Sequence, residues 1–410
     1  MTNTPSHDFS FDDAGDFIVA LGKAAHSYGV SSVRLEAYLS QIAQALSLNG
    51  MFIVTPDFMN VILWTDDDPT QHSRAMKMPP ANYDMSKLAA VGNLVHDIEA
   101  SKRGLQEGSA RLSDIERQPP LYGVGPIGLG YALSGLGFAV MLGLSPAFIG
   151  LAAVLSLLVY GVVLLSGHLK WLAKSLEITA AAIVGGLACM IAILLPGGDP
   201  LLLTLCGLIV LVPGLGLTQG LAEITAAHTI SGFQRLVTAI LCLLRLFIGT
   251  AIGVAAITAL WPIPPIVSPP AIPAILVWVF TIGMVVGLAV VFQVPQRSII
   301  WAALGGVVTF AGVQIGNQFG YWQGSFLGAA ALGTYANLFA IRLHQPASMI
   351  LLTGIMILVP GATAFRGLAA AVEDGATAGL SAEWHVLVII VAIISGLVAA
   401  NILVPPKRTL

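Results

Sequence analysis

Two seven-residue stretches decide how this chain is read: LIVLVPG at 208–214 and IMILVPG at 355–361, apolar at matching positions and 147 residues apart. The same shift places Gln219-Gly220-Leu221-Ala222 on Arg366-Gly367-Leu368-Ala369, and Gly186 on Gly333. Each stretch closes a long apolar run. Proline removes a backbone donor and clashes with the preceding turn, and glycine permits turns that other residues resist. Within hydrocarbon the freed backbone groups must find partners or line a wet cavity. Breaks at corresponding places of two halves therefore mark Pro213, Gly214, Pro360 and Gly361 as a substrate site or gating hinge.

Working outward, ten apolar runs approach the ~20 residues that cross a ~30 Å hydrocarbon core: 125–144, 147–166, 175–195, 201–218, 234–260, 273–293, 299–316, 324–343, 347–365 and 384–404. The first Val-Pro-Gly closes the fourth run and the second closes the ninth. Five runs separate them, an odd number, so the two copies are expected to cross in opposite directions. The expected fold is an α-helical polytopic membrane protein. Its ten transmembrane helices form two inverted five-helix repeats, 124–261 and 273–404, behind a small α+β cytosolic N-terminal domain at 1–123.

Composition sets the same boundary. The 410 residues are 56% apolar and only 10% charged, with a mean hydropathy of +0.87. Soluble domains carry about 25% charged residues, which excludes a single soluble domain and a disordered chain. Residues 1–123 hold 9 Lys/Arg and 15 Asp/Glu, whereas 124–410 hold 9 and 6. An acidic N-terminal part with no basic stripe excludes a nucleic-acid partner. The first residues show no basic stretch followed by an apolar one, so no cleaved signal peptide is expected. With the N-terminus inside, Lys170, Lys174, Arg235, Arg297, Arg342, Lys407 and Arg408 fall in cytoplasmic connections and only Arg366 outside. That bias supports both termini inside the cytoplasmic membrane.

In residues 1–123 the periodicity predicts helices at 12–28, 31–48, 84–102 and 108–117, with strands at 51–55, 59–65 and 73–78. No Walker-type loop is present. Cys189, Cys206 and Cys242 lie in apolar runs without metal spacing, so neither cofactor nor metal is expected. Small residues four apart, as in Gly249/Gly253, Gly283/Gly287 and Gly312 through Gly328, read as helix packing.

Ionisable groups at membrane depth are functional candidates. Arg245, about ten residues into the fifth run, is the candidate for binding a substrate carboxylate, with snorkelling to the headgroups as the alternative. Glu223 and His228 follow the first break and suit proton coupling; a solvated loop helix is the alternative. Arg366 follows the second break as a gating candidate. Asn337 is a polar group at depth, suited to helix–helix hydrogen bonding or substrate binding. Arg34 and Glu36 are two residues apart, so they point to different helix faces; they read as structural or regulatory.

The motifs together resemble the threonine/serine exporter family. YGVSSVRLE at 28–36 is similar to its Gly-Ala-x-x-x-Arg-Val-Glu signature, with Val30 and Leu35 in place of the usual Ala and Val. VTP at 54–56, RLSDIERQPPLY at 111–122, LVPGLGLTQGLAE at 211–223, LVPG at 358–361 and FRG at 365–367 are similar as well. The resemblance implies export of L-threonine and L-serine driven by the proton motive force. Partners would then be a small amino acid, protons and the bilayer, and a homo-oligomer is compatible. The runner-up functions are a dicarboxylate exporter and a membrane-anchored enzyme with a catalytic N-terminal domain.

Overall fold

The computed structural model describes residues 10–100, 104–267, 271–343, 345–358 and 376–405. The N-terminal segment follows the periodicity closely. Helices α1 (Phe11–Ser27) and α2 (Ser32–Ala45) lead into strands β1 (Asn49–Val54), β2 (Phe58–Trp64) and β3 (His72–Lys77), then α3 (Met85–Glu99) and α4 (Leu105–Arg117). Ser10 caps α1 in a reciprocal capping box with Asp13. Gly29 turns the chain between α1 and α2 at φ +100, a conformation that side chains resist. The sheet is antiparallel in the order β1-β2-β3. Alternation along β2 buries Met59, Val61 and Leu63.

This segment packs against the helices that follow it. Its buried residues, such as Leu21, Leu39 and Met59, belong to one hydrophobic cluster that continues into Leu332, Phe339, Ile350 and Ile393 of the C-terminal half. Polar ties reinforce the contact: Met85 N–H donates to the Phe292 carbonyl (3.0 Å), and Tyr122 Oη donates to the Val294 carbonyl (2.8 Å). The segment's apolar face is spent on the bundle.

The remaining helices are α5 (Val124–Met141), α6 (Pro146–Ser166), α7 (Lys170–Lys174), α8 (Leu176–Leu194), α9 (Pro200–Leu208), α10 (Gly214–Thr225), α11 (Thr229–Thr258), α12 (Ala274–Val291), α13 (Gln296–Asn317), α14 (Tyr321–Leu343), α15 (Ser348–Leu358) and α16 (Ala376–Leu403). Among the described residues, eight helices are long and apolar enough to cross a membrane: α5, α6, α8, α11, α12, α13, α14 and α16. The expected runs 201–218 and 347–365 are not among them. The first is interrupted at 209–213, between α9 and α10. In the second, α15 is 11 residues long, and 359–375, with Pro360, Gly361 and Arg366, lie outside the described residues.

Close glycine contacts fix helix directions. Gly249 lies against Ile178, and Gly253 against Ala182 and Gly186, so α8 and α11 run parallel. The chain between them must recross. On the way back α10 lies alongside the start of α11, with Gly216 against Ala239 and Gly220 against Gly232 and Leu236. In the other half, Gly333 lies against Ala400 and Gly396 against Phe326 and Ala330, so α14 and α16 are also parallel. The pair Gly186/Gly253 becomes Gly333/Ala400 under the shift of 147 read from the sequence.

The two halves pair their helices alike. Contacts α5–α6, α6–α8, α6–α9, α8–α9, α8–α11 and α5–α9 recur as α12–α13, α13–α14, α13–α15, α14–α15, α14–α16 and α12–α15. Aromatic pairs sit at the first of these in both halves: Tyr131 with Tyr160 (ring centroids 4.9 Å) and Trp278 with Phe310 (4.7 Å). The halves meet along α5 and α12. Gly130 faces Gly287 while Gly137 faces Phe280, so these two helices are antiparallel. Most of the glycines read as packing residues do pack; Gly283 faces open space, and Gly320 is a turn residue at φ +145.

Candidate functional site

The break between α9 and α10 follows from Pro213. Lacking an N–H, it cannot continue the α9 ladder, and it becomes the N-cap of α10 with ψ 41. Gly214 N–H turns back to the Val212 carbonyl at 2.9 Å. The carbonyls released at the end of α9 find other donors. Ser156 Oγ, fully buried on α6, lies 3.2 Å from the carbonyl oxygens of both Cys206 and Gly207. Cys242 Sγ approaches the Leu211 carbonyl at 3.7 Å. Backbone groups freed in an apolar setting are answered by side chains, as hydrocarbon demands.

Beyond the break, α10 carries Glu223 into the interior. It is not on a solvated loop helix: only 2% of it is exposed. Its Oε1 accepts from the Ser32 amide (3.1 Å) and its Oε2 from Ser231 Oγ (2.7 Å). The Arg235 guanidinium lies 3.2 Å from Oε1. A buried carboxylate needs such a counter-ion and several donors to persist. Five residues on, His228 caps the start of α11. Its Nε2 is 2.9 Å from Glu36 Oε2 and its Nδ1 is 3.0 Å from the Ala226 carbonyl. Partial burial disfavours its charged form, but these two acceptors outweigh burial and raise its pKa above 6.5. Glu36 also accepts from the Val54 amide at 2.8 Å. One face of α2 is thereby fastened to the α10–α11 corner.

The other face of α2 borders a cavity of about 500 Å³. Its walls come from the N-terminal segment (Ser31, Arg34, Tyr83), α10 (Thr218, Gln219, Glu223), α14 (Asn337), α15 (Ser348) and α16 (Asn401). That size lies within the ~300–1,000 Å³ usual for small-molecule sites. Asn337 is 2% exposed, and its amide donates to Asn401 Oδ1 (2.9 Å) and the Val404 carbonyl (2.8 Å). It both ties α14 to α16 and faces the cavity. Pro213 and Gly214 stand one step back, and Leu215 is the first residue of α10 on the wall.

Arg245 does not reach this space. Its side chain is half exposed, and its Nη1 lies 3.9 Å from Glu177 Oε2. Depth measured from the start of its own run misled the reading. α11 begins well short of α8 along their shared direction, and Gly249, one turn beyond Arg245, is level with Ile178 in the first turn of α8. Arg245 therefore marks the near end of α8, where a long side chain snorkels. The structure puts Glu223 and Asn337 on the cavity wall, holds His228 against Glu36 on the fastened face of α2, and leaves Arg245 out.

The residue missed by sequence reasoning is Arg34. It is exposed on the cavity wall, with no hydrogen bond or ion pair among the described residues. Its two-residue offset from Glu36 was the available signal. It separates the fastened face of α2 from the cavity face.

A family model described as "Putative threonine/serine exporter" matches residues 16–257, and a second, "Threonine/Serine exporter, ThrE", matches 276–403. A "Probable threonine/serine exporter" of Mycobacterium tuberculosis is 25% identical over 96% of this chain and 77% of its own length. "Pheromone-regulated membrane protein 10" of Yarrowia lipolytica is 24% identical over 87% of this chain, which spans only 30% of that protein. No solved structure matches.

Proposed function

The chain belongs to the threonine/serine exporter family, a family of transporters rather than enzymes, and on that premise we propose that it carries L-serine and L-threonine out across the cytoplasmic membrane by alternating access, driven by protons. The observation that carries this reading is the cavity, which is bordered by residues of both halves of the bundle and by α10, the helix that begins at the Val-Pro-Gly break. Substrate sites at repeat interfaces beside discontinuous helices are the plan of many secondary transporters.

Three further observations support it. The recurring helix pairings, with α5 and α12 antiparallel, fit two inverted repeats that rock against each other along that contact. The gathering of Lys170, Lys174, Arg235, Arg297 and Arg342 in connections on the expected cytoplasmic side supports cytoplasmic termini. Glu223 lines the cavity and His228 holds Glu36 on the adjoining face of α2, which supports these two as the groups that couple proton entry to substrate exit. Pro360, Gly361 and Arg366 remain part of the proposal as the matching gate of the second repeat.

The test is counterflow in proteoliposomes with L-serine, L-threonine and succinate, run with and without a pH gradient. The reading expects exchange of both hydroxy amino acids, and faster exit when the external side is acid. Exchange of succinate without serine or threonine would replace it with dicarboxylate export.

A further inference from the structure

Among the described residues, every charged side chain around the cavity is answered by a partner except one. Glu223 is held by Ser32, Ser231 and Arg235, and Glu36 by Val54 and His228. Asp84 caps α3 by accepting from the Lys87 amide at 3.0 Å. Arg34 lies open on the wall, with no acceptor among the described residues. Exposed on that wall, the guanidinium is free to meet an anion that enters the cavity. Its planar fork of donors matches a carboxylate two bonds at a time.

The setting strengthens the match. Arg34 is in the first turn of α2, a 14-residue helix whose N-cap, Ser31, makes no side-chain cap. First-turn amides have no partner within a helix. The Ser32 amide is taken by Glu223, but Val33 and Arg34 are not so engaged, and Ser31, Val33 and Arg34 all border the cavity. The positive end of α2 and the guanidinium thus face one space.

The opposite wall offers complementary groups. Asn337 spends both amide protons on Asn401 and Val404, which leaves its Oδ1 to accept. Ser348 Oγ is buried without a partner among the described residues, and Ser348 lines the same cavity. An acceptor and an unanswered hydroxyl suit an ammonium and a substrate hydroxyl. Glu223 on the wall would repel a second carboxylate.

From these contacts we infer that Arg34 is the carboxylate anchor of the cavity, which makes the N-terminal segment a wall of the substrate site, and that the site takes a small monocarboxylate zwitterion bearing a hydroxyl. The inference rests on the exporter reading above.

Direct binding to the purified full-length chain tests it, with L-serine, L-serinamide and succinate as probes. Arg74→Gln is the control, since Arg74 pairs with Asp12 and Asp16 on the outer face of the N-terminal segment. Arg34→Gln is expected to weaken L-serine binding about tenfold or more, to leave the already weak serinamide unchanged, and to keep the thermal midpoint. Arg34→Lys should recover part of the loss. If Arg34→Gln binds L-serine as the unaltered protein does, this inference falls while the exporter reading stands. Equal weakening of serine and serinamide with a lowered midpoint would make Arg34 structural and also overturn it. Binding of succinate but not L-serine by the unaltered chain would defeat the exporter reading itself, and the inference with it.

Discussion

Glu223 Oε1 accepts a hydrogen bond from the Ser32 amide at 3.1 Å, which joins α10 to the first turn of α2 across 191 residues of sequence. Ser231 Oγ closes the corner by lying 2.7 Å from both Ser32 Oγ and Glu223 Oε2. α10 and the N-terminal segment thus share one buried carboxylate. Any movement of α10 is felt at α2, and the reverse holds.

Removing that carboxylate is expected to destabilise the chain severely. Glu223→Ala would strand Arg235, whose side chain is 13% exposed, at a cost of about 3–5 kcal/mol. Glu223/Arg235→Ala together should recover much of this. Thermal midpoints in detergent give the answer, and a double variant no more stable than Glu223→Ala would show that the pair is not the cause.

His228 gives stability a definite pH sign. Its folded pKa is raised, so its contribution is fully present below the unfolded value of 6.5 and is lost as pH rises through the folded value. The stability gap between the unaltered protein and His228→Gln should be wide near pH ~6 and narrow above pH ~8. His26 works oppositely. Burial first, with Arg235 adding to it, lowers its pKa, so the folded state loses stability as pH falls below 6.5. Melting curves across that range for His228→Gln and His26→Gln separate the two; a gap for His228→Gln that widens on the alkaline side would contradict the assignment.

The contact between the halves depends on missing side chains. A Cβ on Gly287 would lie 2.6 Å from the Gly130 carbonyl oxygen and 2.9 Å from Leu133 Cβ. Both are backbone or near-backbone atoms that cannot swing aside, so Gly287→Leu should separate α5 from α12 and cost about 1–3 kcal/mol or more. Gly283, four residues earlier, faces open space. Gly283→Leu should therefore be tolerated in expression and melting, and equal damage from both variants would refute the crossing described.

Much of this was legible in the sequence because it rests on local chemistry. The seven elements of the N-terminal segment follow from periodicity and turn residues, and the shift of 147 between Val-Pro-Gly motifs recurs as the Gly186/Gly253 and Gly333/Ala400 contacts. The site was less legible. Whether Arg245 is deep depends on how far α11 extends past α8, and that stagger is a tertiary quantity. Arg34 gains its meaning only when α2 docks beside α10, α14 and α15: the two-residue offset from Glu36 separates two helix faces but does not tell a cavity wall from a solvated one.

Arg245 and Glu223 therefore make opposite predictions in transport. Arg245 is half exposed, and its ion pair with Glu177 at 3.9 Å is worth about 0–1 kcal/mol, so Arg245→Gln should change the KM for L-serine by less than about threefold. Glu223→Gln keeps the shape of the side chain but cannot exchange a proton at that corner. It should leave serine counterflow measurable while abolishing its acceleration by an external acid pH. Should Glu223→Gln retain that acceleration, proton coupling must be sought at another residue. A large rise in KM for Arg245→Gln would instead return the carboxylate site to the place that the sequence first suggested.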